Sequence, residues 1–146
     1  MHLMAHRSWS FVVPGPPRGK GRPRFGQGRT FTDKKTVAYE RTVKQAALES
    51  GGELIDGPVA ISVEAFMPRP KSRPSSVTKA DWKSGEALPH VARPDADNLL
   101  KVVCDALNGV AYRDDAQVWW TLVRKRYAAE GEPARVDVRI TEAREG

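Results

Sequence analysis

Residues 96–108, ADNLLKVVCDALN, constrain the fold more than any other stretch. At 100° per residue, Leu99, Leu100, Val102, Val103, Ala106 and Leu107 share one broad face, while Asp97, Lys101, Cys104, Asp105 and Asn108 gather opposite. A helix apolar over so wide a face has to lie on a sheet, and the chain supplies alternating runs to build one. Val59, Ile61, Val63 and Ala65 alternate with Ala60, Ser62, Glu64 and Phe66, and Val136, Val138 and Ile140 alternate with Arg135, Asp137 and Arg139. Val118 to Tyr127 reads as a strand carrying Trp119 and Trp120, and Ser8 to Val13 as a shorter one before the turn-prone PGPP. A further helix is predicted from about Asp33 to Ser50, ended by Gly51-Gly52. The segment RGKGRPRFGQGRTFTD reads as a glycine-turned hairpin or a loop. The expected fold is α+β: residues 1–146 form a single domain, a mixed or mainly antiparallel sheet of about four strands packed with two helices. Residues 68–93, rich in Pro, Ser and charge, are expected to form a long flexible loop.

The charge is unevenly spread. Lys and Arg number 24 against 18 Asp and Glu, a formal net charge of +6, which points to a polyanionic partner. Residues 1–35 hold eight Lys or Arg against one acid, Asp33. Arg18, Lys20, Arg22, Arg24 and Arg29 sit there on a Gly- and Pro-punctuated segment suited to following a phosphate backbone. Their plainer reading, residue by residue, is a solvated charge run. No apolar run approaches the length of a membrane-spanning helix, and a cytoplasmic protein is expected. The lone Cys104 excludes an intrachain disulfide and a cysteine-based zinc site.

Against that basic background, five acids fall between Asp95 and Asp115. Asp95 would lie on the apolar side if it were helical, so it is expected at the helix cap, just after Pro94. Capping alone could explain Asp95 and Asp97, and Lys101 could be a partner for Asp97 or Asp105, each four residues away. Capping leaves out Asp114-Asp115, one short loop beyond the helix. Converging carboxylates without His or Cys make a hard, oxygen-only site that suits Mg²⁺ or Mn²⁺ and does not suit zinc. Phosphodiester hydrolysis needs such a cation to screen phosphate charge and activate water, and Lys101 could stabilise the charge that develops.

The run PDADNLLKVVCDAL, followed by a short spacer and DDAQV, resembles the RusA family of crossover junction endodeoxyribonucleases, the Holliday junction resolvases of bacteria and their phages. PGPPRGKGRPR with a following T-x-x-Y-E-R gives looser support. The resemblance implies metal-binding acids at Asp95, Asp97 and Asp115, an essential lysine at Lys101, and Asp114 as a supporting or capping group. It also implies Mg²⁺ dependence, a homodimer, and paired nicks in the opposed strands of a four-way DNA junction. Two features depart from it: residues 68–93 are longer than a minimal member needs, and Arg113 separates Tyr112 from the double Asp. The competing readings are another metal-dependent nuclease acting on flaps or branched DNA, and a non-catalytic basic nucleic-acid-binding module.

Overall fold

The computed structural model describes residues 3–21, 24–31 and 33–145. Its elements follow the order β1 (Leu3–Pro14), β2 (Arg24–Gly26), β3 (Arg29–Phe31), α1 (Lys34–Glu49), β4 (Val59–Met67), α2 (Lys79–Lys83), β5 (Leu88–Pro89), α3 (Ala96–Ala106), a 3₁₀ turn (Asp115–Gln117), β6 (Val118–Tyr127) and β7 (Arg135–Glu145). The main sheet has five strands in the order β1-β7-β4-β6-β5, and β2 pairs with β3 separately. The pair β4–β6 is parallel and every other pairing is antiparallel, so the sheet is mixed as expected. The short hairpin closes because Gln27 and Gly28 both take positive φ, 52° and 75°, as a two-residue turn of the right hand requires.

One face of the sheet is the core. Phe11 and Val13 of β1, Val59, Ile61 and Val63 of β4, and Val136, Val138 and Ile140 of β7 are buried at alternate positions, as the sequence pattern demands. α1 contributes Tyr39, Val43 and Ala47, and α3 contributes Leu99, Val102, Val103 and Ala106. The predicted apolar face of α3 is therefore the packed one, with Leu100 half-buried at its margin.

Residues 68–93 carry α2 and β5, and much of the segment is tied down by Arg69. Its guanidinium donates to the carbonyls of Trp82, Glu86 and Ala128 and stacks on Trp82 at 4.0 Å. β5 is only two residues long and covers only the end of β6, at Arg126 and Tyr127, with one further bond from His90 N–H to the Lys125 carbonyl. Among the described residues, no strand pairs with the outer edge of β6 from Val118 to Arg124. Trp119 and Trp120 on that stretch are half exposed, at 50% and 49%. Among the described residues no helix is long and apolar enough to cross a membrane.

Candidate active site

Asp95 is the N-cap of α3, with extended φ and ψ of −69° and 151°, and its backbone carbonyl accepts from Leu99 N–H at 3.1 Å. Its side chain makes no cap hydrogen bond. Position and chemistry are thus separated: the backbone caps, while the exposed carboxylate is left over. Asp97 follows in the first turn, also exposed. Lys101 stands one turn further on and is exposed; among the described residues neither Asp97 nor Asp105 forms an ion pair with it. Asp105 is instead paired with Lys20, whose Nζ lies 2.6 Å from Asp105 Oδ2 and 3.0 Å from Glu40 Oε1.

Lys20 is therefore a clamp in this conformation, its charge committed to two carboxylates. Those bonds hold the lysine pKa up against partial burial, which alone would lower it. The clamp fastens the segment after PGPP onto α3, where Lys20 N–H donates to the Asn98 carbonyl at 3.1 Å. Gly19 is required there, because a Cβ would lie 2.9 Å from Pro94 Cβ and 3.1 Å from Asn98 Cβ. Between the two segments lies an open pocket of about 510 Å³, lined by Pro17, Arg18, Arg93, Pro94, Asp95 and Asn98. Arg18 is exposed at its rim. Arg24 and Arg29 open β2 and β3, and their side chains lie outside the described residues, as does Arg22 entirely.

A residue that the sequence reading passed over supports the other side of this pocket. Lys125, on the inward-facing register of β6, donates from Nζ to the carbonyls of Ala92 and Pro94 at 2.7 and 2.8 Å. It so ties the end of β6 to the residues leading into Asp95. An inward-pointing lysine among apolar neighbours on a strand was the available signal.

At the opposite end of α3, Gly109 takes a φ of +80° and Tyr112 turns the chain back, wholly buried, its hydroxyl donating to the Cys104 carbonyl at 2.6 Å. Asp114 then caps the 3₁₀ turn: its carboxylate accepts from Ala116 N–H at 2.9 Å, while Gln117 Oε1 accepts from Asp114 N–H at 3.2 Å. Asp115 follows, exposed. Partial desolvation and then the neighbouring Asp114 carboxylate raise its pKa, with the charge of Asp105 adding to the rise and a hydrogen bond from Asn108 opposing it. Asp115 thus returns to the polar face of α3, at the end marked by Asp105 and Asn108. Eight residues separate Asp97 from Asp105, about 12 Å of helix. Oxygen ligands of one Mg²⁺ lie about 2.1 Å from the metal, far closer together than that spacing. Accordingly, among the described residues no three His, Cys, Asp or Glu side chains are grouped to hold a metal.

The only cysteine, on the same helix, is half-buried. Burial pushes the Cys104 thiol up to about 11, a hydrogen bond with Tyr112 opposes that, and Asp115 and Asp105 add to it.

A family model described as "Endodeoxyribonuclease RusA" matches residues 14–141. A protein of Bacillus subtilis (strain 168) that carries the name "Uncharacterized protein YqaN" is 36% identical over 137 residues, covering 90% of this chain and 94% of that protein.

Proposed function

The chain belongs to the RusA endodeoxyribonuclease family, and on that premise we propose that it resolves four-way DNA junctions as a homodimer with a shared metal site. Asp95 and Asp97 of one copy and Asp115 of the partner copy hold a divalent cation, Mg²⁺ or Mn²⁺. The observation that carries this reading is the separation of the acids to opposite ends of α3, beside a β6 edge left open from Val118 to Arg124.

Two copies related by a two-fold axis can join along that edge in antiparallel fashion. β5 blocks the edge from Lys125 onward, so residues 118–124 pair with their own counterparts in reverse, centred on Thr121. Asp115 precedes Val118 by three residues. It is thereby carried past the partner's Arg124 toward Lys125, which holds the segment leading into Asp95. The half-exposed Trp119 and Trp120 supply apolar area for the contact.

A bound divalent cation supplies charge neutralisation of the scissile phosphate and acidifies an attacking water. The chain's own contribution is positional. Asp95 presents a carboxylate that no cap bond consumes, Lys101 offers an ammonium one turn above Asp97 that is in no ion pair among the described residues, and Arg18 and Arg93 flank the pocket where a phosphate would lie. Two sites on one two-fold axis suit two opposed nicks in the cytoplasm of a bacterium or an infected cell.

Complementation tests the reading. Asp97→Asn and Asp115→Asn homodimers should each bind a synthetic four-way junction and fail to cut it with Mg²⁺. Mixed after unfolding and refolding together, they should recover about a quarter of wild-type nicking, because half of the dimers are mixed and each mixed dimer has one intact shared site. No recovery would mean that each chain uses its own three acids. Full activity in either homodimer would remove that residue from the site.

A further inference from the structure

The pocket at Asp95 continues beyond the acids. Through Arg18 it joins a groove of about 250 Å³ between the PGPP segment and α1, lined also by Lys35, Tyr39 and Thr42. Through Thr42 that groove opens into another of about 540 Å³ between α1 and the edge of β1, where Arg41 and Val12 lie. Three neighbouring grooves, linked at Arg18 and Thr42, thus make up a trough from the candidate cleavage site to α1 and the edge of β1.

Beyond the acid at its mouth its lining is mainly basic, through Arg18, Lys35 and Arg41. Lys34, Lys35, Arg41 and Lys44 of α1 are exposed, and among the described residues none of them is in an ion pair. Of the acids of the same helix, Glu40 pairs with Lys20, and Glu49, which accepts from Gln45 Nε2, is the one acid lining the far groove. Tyr39 is buried beneath this groove, with the Arg18 backbone against its hydroxyl. Lys35 and Arg41 stand six residues apart, about 9 Å along the helix, the axial rise of roughly three nucleotides.

We propose that this trough holds the sugar–phosphate backbone of the DNA arm leaving the cleavage pocket, with Arg18, Lys35 and Arg41 as its phosphate contacts. The path of the arm rests on the nuclease reading above; the contact itself does not. A site that grips an arm as well as the scissile phosphate favours branched DNA, whose arms diverge at the point of cutting, over a strand that merely passes the acids.

The test is equilibrium binding of a four-way junction and a linear duplex in EDTA, by fluorescence anisotropy over a salt series, alongside wild-type cleavage of the same junction with Mg²⁺. Lys35→Ala/Arg41→Ala should lower the salt slope of junction binding by about 1.8 and weaken binding roughly 60-fold near 0.1 M salt for each trough engaged, at 0.9 per lost phosphate contact. Lys79→Ala/Lys83→Ala, which removes the same charge from exposed positions on α2, should change neither by more than roughly twofold. An unchanged slope in the α1 variant, or an equal loss in the α2 variant, overturns the trough. Loss confined to the α1 variant supports it even if the wild type fails to cut, which would sink the nuclease reading alone.

Discussion

Two aspartates that look alike in the sequence have opposite employment. Asp114 uses its carboxylate to cap a turn, with Gln117 closing the reciprocal bond, whereas the Asp95 carboxylate caps nothing. Asp114→Ala should therefore cost about 1 kcal/mol of stability in a denaturant melt, and Asp95→Ala less than half of that. Their effects on cleavage should rank the other way, with Asp95→Ala abolishing it. The sequence identified both residues but could not divide these roles, because cap bonding depends on a side-chain rotamer that no spacing encodes. It likewise read Lys101 as a partner for Asp97 or Asp105 and Lys20 as a phosphate contact. Asp105 belongs to Lys20 instead, a pairing across 85 residues that only the fold can arrange. Cys104 makes a separate residue-level prediction. A thiol raised to about 11 stays protonated through neutral pH. Alkylation by iodoacetamide at pH 8 should run roughly 100-fold slower than for a free cysteine thiol and accelerate only as pH climbs toward that value, as mass spectrometry of timed samples can follow.

Among elements, α3, β4 and β7 were legible because their apolar residues recur with periods near 3.6 and 2, whereas β6 was read from its bulky apolar run at Val118–Val123. α2 and β5 were not, since elements of five and two residues inside a Pro- and Ser-rich stretch repeat no period. Order there comes from Arg69 stacking on Trp82, a pair thirteen residues apart. The helical wheel was right about which face of α3 carries the acids. It is silent about position along the axis, and so it could not show that Asp115 returns to the wrong end of α3 to meet Asp97. That missing dimension gives β6 its importance. Trp119→Lys/Trp120→Lys should leave the circular dichroism spectrum unchanged, because both side chains are half exposed, yet shift the protein to a monomer in analytical ultracentrifugation and abolish cleavage. A variant that stays dimeric would move the interface elsewhere on the molecule.

For the whole molecule, the surplus of six positive charges is distributed by the fold rather than merely totalled. Several cations are spent internally, Arg7 on Glu53 and Glu142, Arg113 on Asp56, Arg124 on Glu64 and Lys20 on α3, whereas Lys35 and Arg41 of α1, in no ion pair among the described residues, line the trough beginning at Asp95. Junction binding by the wild type should accordingly be steep in salt, losing roughly 100-fold or more between 50 and 200 mM if about four phosphates are neutralised. A nearly flat dependence would deny the backbone contact altogether. The sheet order has one more consequence, which concerns time. β7 follows every other element in the sequence, yet it lies between β1 and β4 and pairs with both. As the chain leaves the ribosome, β1 waits without its strand partner until residues 135–145 emerge, and contacts this distant in sequence close slowly. The middle of the sheet is thus the part that closes last, and β1 and β4 are joined only through β7.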